Sequence, residues 1–472
     1  MSAPGRASSD LNVVAKSKGP VLTVLDEFYK VGPGPSSSHT IGPMRITCDF
    51  YRRCLALPKE LLARADAMRV HLYGSLSATG QGHGTGRAAL AGMIGKEPAS
   101  VEPEFLDGLA ADPGQKFAVT LPGTSFFVSL ADIVHDATSG DFRHPNTMVC
   151  RLLGRGEVLC ELEYYSVGGG FIEWKGYRAP AKGRPLYPYS TMKELQAHAQ
   201  ANRLTIAQVV LANEMAVSGK SEAEVNAFLD QIADVMGKIV RSGLGAPPAT
   251  LPGPVGLRTK AGEVLQRAMD DNVAQRGLGF VCAYALAGSE ENARGHLVVT
   301  APTGGSAGVI PAVVHSLGEG GRNLPREKIR SGLLAAAAIG YLCKHNATLA
   351  GAEGGCQAEI GVASAMGAAL IAQAYDFDHQ VIANAAESAL EHHLGLTCDP
   401  VAGYVQVPCI ERCAYGAIKA WTGFMIASNE IPANRRVDFD TTVAAMALTA
   451  KEMNARYKET AEGGLAVSLV LC

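Results

Sequence analysis

Three cysteines stand in polar, glycine-rich settings where a thiol can do more than pack: Cys356 in GAEGGCQAE, Cys398 in GLTCDP and Cys409 in QVPCIERC. They lie 42 and 11 residues apart, and none belongs to a C-x-x-C pair, which disfavours a zinc ribbon or knuckle. Thiolates gathered from separate segments are the usual way to hold an iron–sulfur cluster. Three such ligands for four irons leave one iron open, and an open iron is a Lewis acid. The competing reading is three buried small hydrophobes, which is what most free cysteines are. Cys413 offers a further thiol one helical turn beyond Cys409; the terminal Cys472, after the apolar Leu465–Leu471, is either a mobile thiol able to reach a cluster or an accident of the last codon. Cys48, Cys54, Cys150, Cys160, Cys282 and Cys343 sit in apolar or mixed segments and read as packing residues.

Three loops could hold an anion or move a proton. Ser36, Ser37 and Ser38 follow a Gly/Pro turn and precede His39; hydroxyls there can cap a helix and bind a carboxylate. An exposed histidine beside a plain serine cap is the alternative. Gly74–Arg87 (GSLSATGQGHGTGR) reads as a glycine-dense loop after a strand, with His83 either poised over a ligand or simply exposed. Its glycine spacing does not fit a dinucleotide fingerprint. Thr300–Gly308 (TAPTGGSAG) combines the hydroxyls of Thr303 and Ser306 with backbone donors, or is only a tight turn.

The elements that must position these residues fall into two groups. At 472 residues the chain calls for two or more domains. Hydrophobic residues at 47% and charged residues at 18% exclude a largely disordered chain, and a net charge of −3 provides no field for nucleic acid or an anionic membrane. No apolar run is long enough to span a bilayer, residues 1–20 read as a loose leader and not a secretory signal, and eleven cysteines suggest reduced thiols in the cytosol. From 21 to 175 the pattern mixes short helices with alternating strands, an α+β domain: a helix over Val21–Tyr29, strands at Met68–Tyr73, Lys116–Thr120 and Ser125–Leu130, and a hairpin of Met148–Leu153 with Val158–Tyr165. Residues 176–190 carry three prolines and read as a linker. From 191 to 460 the strand signal almost disappears; helices are expected over Met192–Arg241, Lys260–Gln275 and the Gly/Ala-rich segments near 330–343, 358–375 and 380–392. Residues 461–472 form a tail. Abundant glycine (53 residues) with 6% aromatics suits helices packed through small residues.

In order along the chain, GPSSSHTIGPM, GHGT, HPNTM, YYSVGGGF, TAPT, GAEGGCQAE, EHHLGLTCDP, VQVPCIER and YKETAEGGLAV resemble the iron–sulfur-dependent L-serine dehydratases (L-serine ammonia-lyases), in the form with both domains on one chain. The resemblance runs from about Val21 to Cys472. It implies an α+β first domain like the allosteric substrate-binding domain of phosphoglycerate dehydrogenases, then an all-α catalytic domain. It implies a 4Fe-4S cluster held by Cys356, Cys398 and Cys409, with Cys472 folding back onto the open iron. His83, then His39, are the implied base or proton carriers; Ser36, Ser37, Ser38, Thr303 and Ser306 would hold the substrate carboxylate, with Asn146 assisting. L-serine as substrate and a homodimer follow from the same likeness, with no nucleic acid or membrane partner. Four positions depart from the family: Gly86 replaces an Asp, Gly304 an Asn, Ser306 an Ala and Cys413 an Asn. These departures leave open an altered substrate or a silenced, serine-sensing homologue. A pyridoxal-phosphate lyase would perform the same net reaction, but no lysine sits in a recognisable Schiff-base setting.

Overall fold

The structure is a computed structural model describing residues 19–469, apart from 81, 137, 139–141, 145, 168, 179–181 and 271–272. Cys472 and most of the leader lie outside the described residues. The chain forms an α/β part followed by a helical part, each with its own hydrophobic core.

The α/β part is built on a five-stranded sheet. Strands in chain order are β1 (Lys30–Pro33), β2 (Ala67–Leu72), β3 (Phe117–Leu121), β4 (Thr124–Val128), β5 (Ile133–His135), β6 (Thr147–Gly154), β7 (Glu157–Ser166), β8 (Ile172–Trp174) and β9 (Leu297–Thr300). The sheet order is β5-β2-β6-β7-β8, antiparallel except for the β5–β2 edge pair. The expected hairpin forms through Arg155 and Gly156, both left-handed, as such a tight connection requires. β3 and β4 make the second expected hairpin. Helices Gly42–Leu55 and Thr85–Met93 pack against each other so closely that a Cβ on Gly92 would strike Thr47 and the Met44 carbonyl. The stretch 74–87, read from sequence as one glycine-dense loop, instead holds a short helix, Gly74–Thr79, and the start of the Thr85 helix. Its glycines provide tight turns between helices: Gly84 is left-handed, and the Thr85 N–H donates to the Gly80 carbonyl.

In the helical part, the single helical stretch expected over 192–241 divides into three helices, Met192–Asn202, Ile206–Ser218 and Glu222–Gly245. Each opens on a reciprocal capping box, Thr191/Glu194, Thr205/Gln208 and Ser221/Glu224. Arg203 and Gly219, both left-handed, end the first two. Val362–Ala374 is buried along its whole length among Arg326–Asn346, His379–Glu391 and Cys409–Asn429. Small residues permit this: Gly367 meets Ala420 and Val313, and Gly332 lies on Leu370. Among the described residues no helix is long and apolar enough to cross a membrane.

The two parts are sewn together. β9, the strand the helical half was not expected to contain, pairs antiparallel with β1 from the start of the chain. Val21, Leu25, Phe28 and Tyr29 are buried in the helical core, not in that of the sheet. The connection 176–190 is pinned to the helices: Gly183 N–H donates to the Val217 carbonyl, and the Tyr187 backbone exchanges two hydrogen bonds with the Asn213 side chain.

At this seam, Glu214 accepts a hydrogen bond from Leu25 N–H at 3.0 Å while 3% exposed. Burial raises its pKa from 4.5 to about 7, with nearby Asp26 adding to the shift. The folded state therefore holds a proton there that the unfolded chain releases near pH 4.5. The resulting stability is complete at low pH and is lost as pH rises toward and through 7. Glu214→Gln, which keeps the acceptor, is expected to lose this part of the slope: melting temperatures measured at pH 5 and pH 8 should differ less in the variant than in the wild type.

Candidate active site

A cavity of about 380 Å³ lies between the two parts. Two π-helical turns, a geometry frequent at functional sites, contribute Ser36, Ser37, Ser38, Cys356 and Glu359 to its wall, their caps included. One, Ser37–Ile41, opens the helix Gly42–Leu55; its cap, Ser36, accepts from His39 N–H at 3.2 Å. The other, Gln357–Gly361, opens the central helix Val362–Ala374 and is capped by Cys356.

The cysteine wall draws on three separated segments, as the sequence requires. Cys356 follows Gly355, which is left-handed and wedged against the Leu396 carbonyl and Met453. Cys398 sits in an extended strip fixed on both sides: its N–H donates to the Tyr457 carbonyl at 2.7 Å, and its carbonyl accepts from Glu459 N–H at 2.8 Å. Cys409 is the first residue of the helix Cys409–Asn429, where the positive end of the helix dipole favours a thiolate. All three line the cavity. Ligand atoms of Cys356, Glu359 and Cys398 lie within 4.8 Å of one another; Cys409 stands outside that tight group. Hydrogen bonding to Cys356 and burial hold the Cys398 thiol well above its ordinary pKa, and burial does the same for Cys409. A cation that displaces the thiol protons relieves this crowding. Arg412, held by the Thr397 carbonyl and the Asp399 carboxylate, places a fixed positive charge near the Cys356 and Cys409 thiols. The donor set therefore fits a thiolate-ligated metal centre. Cys413 does not join it: its Sγ donates to the Gly305 carbonyl at 3.3 Å, beneath the Thr300–Gly308 loop.

Four carboxyl groups that the sequence reading did not single out line the cavity, those of Glu353, Glu359, Glu459 and Glu462. Gly305 and Gly351 make room for Glu359; a Cβ on Gly305 would stand 3.0 Å from its Oε2. Burial pushes Glu359 up to about 7 and, together with the charge of Glu359, pushes Glu459 up to about 8. Glu359 lies three residues beyond Cys356, one turn along the same segment, and that spacing was the available signal for it.

Hydroxyls line the same cavity. Ser36, Ser37, Ser38 and Thr303 line the cavity. Ser306 does not: it is fully buried, and its Oγ bonds the Thr303 carbonyl at 3.2 Å, so it shapes the loop that presents Thr303. Gly304 lets that loop sit directly on the serine turn, since a Cβ there would be 2.8 Å from the Pro35 carbonyl and 3.0 Å from Ser37 N. The departure at 304 thus tightens this wall. A side chain at 86 would set out toward Leu130 and Ile133, with no His83 atom within 4 Å, so an Asp there would not begin beside His83.

His39 and His83 are brought together but stand behind the wall. The His39 ring bridges two hydroxyls that line the cavity, Ser38 Oγ at Nδ1 (2.9 Å) and Ser75 Oγ at Nε2 (3.0 Å). His83 lies on its far side, with ring centroids 4.8 Å apart. Burial keeps His39 well below the ordinary histidine pKa, with His83 and His144 adding to the shift. His144, in the HPNTM motif but not picked out as a site residue, lines the cavity itself, and burial lowers its pKa to about 4. Asn146 also lines the cavity and donates through Nδ2 to the Ser166 carbonyl at 3.2 Å.

A cavity that gathers thiols fit for a metal centre, serine and threonine hydroxyls and buried histidines is the site of a small-molecule enzyme. Comparison with known proteins makes this specific. Residues 24–177 match the family described as serine dehydratase beta chain, and residues 201–466 match serine dehydratase alpha chain. The chain belongs to the serine dehydratase family, with both parts on one polypeptide. It is 37% identical over 462 residues to an L-serine dehydratase of Streptomyces coelicolor, covering 96% of this chain and all of that protein. It is 37% identical over 461 residues to L-serine dehydratase 2 of Escherichia coli, with 96% and 100% covered, and 38% identical over 468 residues to an L-serine dehydratase of Mycobacterium bovis, with 95% and 98% covered.

Proposed function

We propose that the protein is an L-serine ammonia-lyase, a lyase that dehydrates L-serine to aminoacrylate, which then gives pyruvate and ammonia. The observation that carries this reading is the one cavity lined by Cys356, Cys398 and Cys409 together with Ser36, Ser37, Ser38 and Thr303. The three thiols would hold a 4Fe-4S cluster, with Cys472 as the tail ligand implied by the family resemblance. When bound, the cluster supplies an electron-accepting iron, the kind of electrophile that loss of hydroxide from an unactivated carbon demands.

The protein's own groups do the rest. Ser36, Ser37 and Thr303 hydroxyls hold the substrate carboxylate, and Ser306 keeps Thr303 in place. Removal of the Cα proton needs a base near the carbon. His39 takes this role ahead of His83, because it is one hydroxyl away from the cavity. With one hydroxyl at each nitrogen, a neutral His39 gains a proton from one side and releases it on the other. His83 and His144 oppose a lasting charge on it. The polypeptide excludes bulk water from this wall, since Ser36, Ser37, His39 and Thr303 are all buried.

By the same family likeness the enzyme is a cytosolic homodimer. Its first domain, within 21–175, resembles the allosteric substrate-binding domain of phosphoglycerate dehydrogenases; 176–190 is a linker, 191–460 the catalytic domain and 461–472 a tail that reaches the site. The deciding experiment is anaerobic purification, with iron and sulfide counted per chain and pyruvate release from L-serine followed. About four irons and four sulfides with serine-dependent pyruvate are expected. One zinc per chain without sulfide, or no pyruvate from an iron-loaded protein, overturns the reading.

A further inference from the structure

The cavity wall assigns a partner to the substrate's carboxylate but, so far, none to its α-ammonium group. Asn146 is 8% exposed and lies just before β6. Its amide is oriented without ambiguity: Nδ2 donates to the Ser166 carbonyl, and the Asn146 carbonyl accepts from Ser166 N–H at 2.9 Å. Its own N–H donates to His144 Nδ1 at 3.0 Å. The remaining atom, Oδ1, is buried and has no hydrogen-bond partner among the described residues. A buried acceptor without a donor is costly, and this one belongs to a residue on the cavity wall. Oδ1 has only lone pairs to offer, so it repels a carboxylate, the group the sequence reading gave to Asn146. It suits a donor.

We infer that Asn146 Oδ1 accepts a hydrogen bond from the α-ammonium group of the substrate and so makes the site selective for amino acids over hydroxy acids of the same shape. This rests on the reading of the cavity as a serine site. The carboxylate then lies toward the Ser36–Ser38 turn and Thr303, and the ammonium group toward Asn146.

The test uses the full-length, cluster-loaded enzyme and two ligands: L-serine, and 3-hydroxypropanoate, which is serine without its ammonium group. The wild type is expected to bind serine at least tenfold more tightly, reading KM for serine against the competitive inhibition constant of 3-hydroxypropanoate. Asn146→Ala is expected to raise KM for serine by about 10- to 100-fold, the range of a hydrogen bond to a charged donor, and to change 3-hydroxypropanoate inhibition less than threefold. Asn146→Asp keeps an acceptor on the same branch and is expected to stay within about tenfold of the wild type for serine. Equal weakening of both ligands in Asn146→Ala assigns the residue a merely structural role and overturns the inference. So does a wild type that does not distinguish the two ligands, a result that stands even if the alanine variant fails to fold. If L-serine gives no pyruvate, calorimetric binding of the two ligands still reads the ammonium preference, so failure of the activity and failure of the Asn146 contact are told apart.

Discussion

Cys398→Ala is expected to yield a folded, colourless and inactive protein. Cys398 is fixed through its backbone, with its N–H on the Tyr457 carbonyl and its own carbonyl on Glu459 N–H. Those bonds survive removal of the thiol, and so does the path of the chain. Only Sγ is lost, from the tight group it forms with Cys356 and Glu359. Metal affinity at such a site depends on every thiolate, so the broad visible absorbance of a thiolate-bound cluster should disappear together with pyruvate formation. Far-ultraviolet circular dichroism should match the wild type. Full turnover in a colourless protein would falsify the cluster mechanism.

The second large effect is expected at His39. Removing a general base typically slows the chemical step by about 10²- to 10⁴-fold. His39→Ala breaks both hydroxyl contacts, with Ser38 and with Ser75, at once, so kcat for L-serine should fall in that range while KM changes little. Ser75→Ala removes one side of the bridge and should fall between the wild type and His39→Ala. His83→Ala, one ring further from the cavity, should cost less than His39→Ala. The opposite order, with His83→Ala the slower enzyme, makes His83 the base and His39 its support.

Much of this site was legible in the sequence because its chemistry is local. A cysteine in a glycine-rich turn, and hydroxyls following Gly34-Pro35, announce themselves by residue type. What the sequence could not show was depth. Ser306 and His83 sit in motifs as conspicuous as those of Thr303 and His39, yet Ser306 is turned into its own loop and His83 lies behind a second ring. Which of two neighbours faces a cavity depends on packing from the other half of the chain. Glu459 illustrates the same limit: it reaches the site because the segment around Lys458 runs beside Cys398, a pairing across about sixty residues that no local pattern encodes. Strand β9 was hidden for a related reason, because its four residues are a strand only through their pairing with β1.

That pairing bears on how the polypeptide could be divided. The residues before the sheet contribute Leu25, Phe28 and Tyr29 to the interior of the helices, and β1 then takes its strand partner from beyond residue 290. A peptide bond broken between 176 and 190 would therefore release nothing, because the amino-terminal fragment remains laced through its carboxy-terminal companion. Each fragment made alone would expose an apolar surface that belongs to the other. The catalytic chamber is thus a product of interleaving, and a gene split at this point would encode two polypeptides obliged to fold on one another.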